Sequence, residues 1–129
     1  MPYVEILSSA DAAAAAKQAL VRAMTDAITG AFNVPPTAVT VFFLPVAPEN
    51  YGYRGALGEA GDGPRVFIKI HAYQRPAGPR RAVALPISQA ASTCFGTPLK
   101  HVSIYFLERA FDEVVHDGHL VCDGPAPVL

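Results

Sequence analysis

The chain repeats one hydrophobic pattern at two places 63 positions apart. Pro2–Leu7 is a short run with strand composition. Asp11–Phe32 follows, with Leu20, Met24, Ala27, Ile28 and Ala31 at helical spacing, Ser8, Ser9 or Asp11 as candidate caps and Asn33 as a helix end. Val39–Leu44 is nearly all apolar, as a strand buried on both faces would be. The order recurs as Arg65–Ala72, a helix over about Pro79–Phe95 and Val102–Leu107. Pro86 predicts a kink or a late start in that second helix. Laying 2–44 over 65–107 without a gap pairs Phe32 with Phe95, Pro35 with Pro98, Val39 with Val102, Phe43 with Phe106 and Leu44 with Leu107.

Each half therefore reads as a β-α-β unit, with its helix crossing over between parallel strands. The expected fold is α/β (α+β): tandem β-α-β units sharing a four-stranded sheet, two helices on one face, all in a single domain over 1–129. The opposite face is left bare and apolar. A Gly-, Pro- and Tyr-rich segment at 45–64 joins the repeats and suits a short hairpin.

Apolar residues make up 51% and charged residues 16% of the chain, which excludes a disordered tail and suggests apolar surface buried between subunits. The net charge of −1 offers no field for nucleic acid or an anionic membrane. Its distribution is uneven: residues 65–109 hold seven basic side chains and one acid, Glu108, between acidic flanks. Such a block suits an anion site. Two cysteines, Cys94 and Cys122, form no framework and fit a reducing compartment. No basic n-region marks a signal peptide and no window spans a membrane, so a cytoplasmic location is expected.

A proline directly after Met1, heading a strand in a β-α-β unit of about 60 residues, resembles the tautomerase superfamily. The first half is similar to a 4-oxalocrotonate tautomerase monomer throughout, including the segment LPVAPENYGYRGAL. The second half repeats the unit, so the chain resembles fused, double-length members. Through MTDA, IYFLE and the region of Gly118 it resembles the cis-3-chloroacrylic acid dehalogenase group. Malonate semialdehyde decarboxylase is a second fused group of similar length. The resemblance implies a tautomerase/MIF-like fold, a homotrimer, and proton-shuttle chemistry on small 2-oxo or unsaturated carboxylic acids without cofactor or metal.

That chemistry would start at Pro2. With Met1 removed, Pro2 is a secondary amine, whose protonated form an apolar wall and nearby Arg cations disfavour. A neutral amine takes a proton from carbon beside a carbonyl and returns it elsewhere; a retained Met1 makes the same nitrogen an amide. Arg75 occupies the slot where the single-unit family places an active-site Arg, suited to a carboxylate or a developing oxyanion. The second Arg of the dehalogenase and decarboxylase groups falls at Gly78 and Ala77, leaving Arg80 or Arg81 as substitutes. Tyr105 aligns with a water-positioning Tyr of the dehalogenase group, whose water-activating Glu falls at His116 and whose helix His falls at Ile28. Tyr51 and Tyr53 are candidate pocket walls. Tautomerisation is the reading these residues favour. The alternatives are a dehalogenase-like hydratase, a decarboxylase, or a non-catalytic trimeric binding module.

His116, His119 and Cys122 have a spacing that could serve zinc, but Gly118, Asp123, Gly124 and Pro125 argue for a loop and no further ligand cluster completes the set. Glycine-rich nucleotide fingerprints are absent, and there is no basic-aromatic stripe for nucleic acid.

Overall fold

The computed structural model describes residues 1–58 and 61–125. Four strands form the main sheet: β1 (Tyr3–Ser8), β2 (Thr40–Pro45), β5 (Val66–Tyr73) and β6 (Val102–Arg109), in the order β2-β1-β5-β6. β1 runs parallel to β2 and β5 parallel to β6, while β1 and β5 are antiparallel in the centre, with Tyr3 opposite His71 and Ser8 opposite Val66. Two helices, α1 (Ala14–Phe32) and α2 (Ala77–Phe95), provide the crossovers and pack on one face.

Both helix boundaries are related by the 63-residue offset, and so are their buried faces: Leu20 and Val83, Met24 and Ile87, Ile28 and Ala91, Phe32 and Phe95. These side chains meet Val4 and Ile6 of β1 and Val66, Ile68 and Ile70 of β5, none of them exposed to solvent. Each helix ends on a left-handed residue, Asn33 (φ 55°) and Gly96 (φ 60°). One polar feature is repeated as well. Lys17 Nζ lies 5.5 Å from the Phe43 ring centroid, and Arg80 Cζ lies 5.6 Å from that of Phe106, at the matching positions.

Several local expectations change. α2 begins at Ala77 rather than Pro79 and continues through Pro86. Pro86 and Ala82, whose carbonyl loses its donor, are both exposed, so water replaces the missing N–H. No candidate cap serves α1, whose N-cap is Ala13. Instead, the Asp11 carboxylate accepts from Ala12 N (2.8 Å) and pairs with Lys17 (2.7 Å). Ser8 Oγ donates to the Ala10 carbonyl (2.6 Å), and Ser9 Oγ accepts from Arg65 N (2.9 Å). β2 is not buried on both faces within one chain, because it is the sheet edge and its outer side chains Phe42 and Leu44 are 53% and 44% exposed.

The connecting segment forms the expected hairpin, β3 (Gly52–Tyr53) with β4 (Ala56–Leu57); Glu59 and Ala60 lie outside the described residues. A second small hairpin, β7 (Val115–His116) with β8 (His119–Leu120), follows β6. The helix-free face of the sheet carries exposed Phe42, Leu44, Phe67 and Tyr105. Among the described residues no helix is long and apolar enough to cross a membrane.

Candidate active site

The antiparallel pairing of β1 with β5 brings the N-terminus to the end of β5, where the chain turns through 74–76 into α2. Pro2 points to the helix side and is fully buried. The Met1 α-amino group beside it is held below its ordinary value, first by burial and then by the charge of Arg75. Arg75 is thus the cation nearest the start of the chain in the electrostatic sense.

Three contacts define Arg75. Its guanidinium lies over the Phe32 ring, 4.2 Å from the centroid, and Nη1 donates to the Tyr73 carbonyl at 3.0 Å. Nη2 is buried without a hydrogen-bond partner. Burial also lowers the affinity of the guanidinium for its proton relative to a free arginine, although it remains a cation. A buried donor without an acceptor costs about 1–3 kcal/mol, and an incoming oxyanion relieves that cost.

Around Arg75 is a narrow cleft of about 10 Å³, room for a single water, lined by Phe32, Ala72, Tyr73, Arg80, Phe106 and Glu108 among others. Arg80, in the first turns of α2, reaches this cleft and is ion-paired with Glu108 at the end of β6. Arg81, one position further round the helix, is exposed and does not line it.

Pro2 is not among the residues that line this cleft, and four other candidates are not brought to it within one chain. Tyr105 lies on the helix-free face, 52% exposed and stacked on Phe67 with centroids 6.4 Å apart, because its strand position alternates with those that face the helices. His116 is exposed on the β7–β8 hairpin, opposite His119. Tyr51 and Tyr53 sit in the β3–β4 region at the other end of β1, since β1 leads away from Pro2 before the chain reaches them. Tyr51 lines a hollow with Ser9, Ala10 and Pro64, while Tyr53 stacks under Arg65. Among the described residues no group of three or more His, Cys, Asp or Glu is placed to hold a metal ion.

Sequence reasoning missed Phe32, Tyr73 and Glu108 as parts of the site. Phe32 carried a signal, its place in the repeat, but that marks Phe95 equally. Glu108 was the lone acid in the basic block, and only the β6–α2 packing reveals its partner.

Residues 2–60 match a family model described as Tautomerase enzyme. The first repeat and its hairpin segment are thus similar to the tautomerase family, and the whole chain has a tautomerase/MIF-like fold. Among solved structures, it is similar to a wild-type fused 4-OT described as a symmetric trimer (20% identity, TM-score 0.78, covering 93% of this chain and 96% of that one). A protein described as inactivated by 2-oxo-3-pentynoate is similar at 19% identity and TM-score 0.78, over 92% and 94% of the two chains. Macrophage migration inhibitory factor of Toxoplasma gondii follows the same fold, at 18% identity and TM-score 0.74 over 91% and 97%. No curated protein sequence matches the chain significantly.

Proposed function

We propose that the chain is a cofactor-independent tautomerase that uses Pro2 as general base and acid on small 2-oxo or unsaturated carboxylic acids. The supporting observation is the junction of a buried chain start with Arg75, whose Nη2 has no partner. Once Met1 is removed, the Pro2 amine takes over the environment that depresses the Met1 amine. Burial and the Arg75 charge both disfavour its protonated form, so it stands neutral and able to accept a proton. It removes a proton from the carbon next to the substrate carbonyl. Arg75 stabilises the oxyanion of the resulting enolate or holds the carboxylate, and the prolinium then returns the proton to the alternative carbon or oxygen. Every proton taken is given back, so no cofactor is required.

The working form is a homotrimer, with the helix-free faces turned inward; the related fused 4-OT is described as a symmetric trimer. In that assembly Tyr105, exposed in one chain, reaches a neighbouring chain. The free thiols of Cys94 and Cys122 are in keeping with a cytoplasmic protein. The second half begins with Arg65 where the first has Pro2, so each chain holds one reactive amine.

Mass spectrometry after treatment with 2-oxo-3-pentynoate tests this reading, because the conjugated alkyne accepts a neutral amine. One adduct per chain, located on Pro2 of the Met-free protein and absent when Met1 is retained, is expected. Two adducts per chain, or labelling indifferent to Met1, would refute it.

A further inference from the structure

The opposite end of the β1–β5 pair holds a second, unrelated concentration of charge. Arg65 stands where the repeat places Pro2, about 20 Å from it along a six-residue strand. Its backbone is tied on both sides: N donates to Ser9 Oγ (2.9 Å) and O accepts from Ser9 N (3.0 Å). Its guanidinium lies over the Tyr53 ring, with Cζ 3.5 Å from the centroid. Stacking uses the face of the guanidinium and leaves its in-plane donors for a ligand, and Nε is buried with no hydrogen-bond partner.

A cleft of about 480 Å³ opens beside it, lined by Tyr53, Arg54, Asp62, Arg65, Lys100 and His101. Its floor is built rather than incidental. His101 is 4% exposed and held by both ring nitrogens, to Asp62 (2.8 Å) and to Thr97 Oγ1 (3.1 Å). Thr97 Oγ1 in turn donates to the Pro64 carbonyl (2.6 Å). The loop approaches Thr97 so closely that a Cβ on Gly63 (φ +141°) would come within 2.7 Å of its hydroxyl. Asp62 also pairs with Lys100 (3.3 Å), so among the described residues one carboxylate faces three permanent cations, Arg54, Arg65 and Lys100. Among the described residues no carboxylate pairs with Arg54 or Arg65.

We propose that this cleft is a binding site for a small, doubly charged oxyanion, a phosphate group or a dicarboxylate, separate from the Arg75 cleft. Arg65 offers its fixed planar edge, Lys100 and Arg54 supply mobile charge from the rim, and Asp62 orients Lys100 and His101. The size of the cleft suits a metabolite rather than a macromolecular surface.

Calorimetric titration of the Met-free protein with inorganic phosphate and with malonate, at constant ionic strength, tests the assignment. Saturable binding of either probe is expected to persist in Arg75→Gln, and to weaken about tenfold or more in Arg65→Gln and in Lys100→Gln, each of which removes a charge-assisted contact. Tighter phosphate than malonate assigns the phosphate group, and the reverse order assigns the dicarboxylate. Loss of saturable binding in Arg75→Gln, with binding kept in Arg65→Gln, would place the anion in the Arg75 cleft and overturn the proposal. So would the lack of saturable binding by both probes. If Arg65→Gln melts unlike the parent, the exposed pair Arg54→Gln and Lys100→Gln takes its place.

Discussion

Replacing Phe32 by Leu separates packing from chemistry, because the fold supplies its own control. Phe32 and Phe95 occupy matching ends of α1 and α2, 5% and 8% exposed, in one continuous core. Only Phe32 carries a cation, Arg75 at 4.2 Å; among the described residues none lies over Phe95. Exchange to Leu removes the same buried ring atoms at either site, so its packing cost is similar at both, on the order of 1–2 kcal/mol. At Phe32 the lost cation–π contact with a half-buried guanidinium adds about 1 kcal/mol, within the range of about 0.5–2 kcal/mol for such contacts. The same contact fixes Arg75, so its loss lowers the occupancy of the working geometry about fivefold, from RT of about 0.59 kcal/mol. Urea unfolding at fixed protein concentration and kcat/KM for enol ketonisation are the assays. Phe32→Leu should lose about 1 kcal/mol more than Phe95→Leu and about fivefold or more in kcat/KM, with Phe95→Leu near the parent rate. Equal effects of the two substitutions on both measurements would refute the argument that Phe32 seats Arg75.

Three further outcomes follow from the same geometry. Arg75→Gln removes one of the two causes that depress the terminal amine, so the Pro2 pKa rises and the acid limb of the kcat/KM profile moves to higher pH; the limb does not reach that of a free prolyl amine, since burial, the larger cause at the Met1 amine, remains. Glu108→Gln releases Arg80, so KM for a dianionic 2-oxo acid falls more than KM for a monoanionic one, while stability by urea unfolding changes by less than about 1 kcal/mol. Thr97→Val strips the Pro64 carbonyl and the His101 ring of a buried partner and lowers unfolding free energy by about 1–3 kcal/mol.

The repeat was legible because hydrophobic burial is periodic and survives sequence drift: Met24 and Ile87 differ in type yet fill the same place in the core. The left-handed end of α1 was legible too, since Asn33 is a residue that tolerates positive φ. The start of α2 was not, because Pro76 at its N-cap offers no capping side chain and Gly78 argues against a helix. Arg75 was placed through resemblance, whereas its neighbours Phe32, Tyr73 and Glu108 come from three separate elements that meet only in the folded chain. Tyr51 and Tyr53 show the limit of composition, which marks a residue as a fit wall for a pocket but not the end of the sheet where it lies.

The account turns on the prolyl nitrogen. Its most direct test is the rate of ketonisation of phenylenolpyruvate by mass-verified, Met-free protein beside Pro2→Ala. A rate well above buffer that collapses in the variant is the predicted result. Equal rates in the two proteins, or no rate above buffer in either, would contradict it.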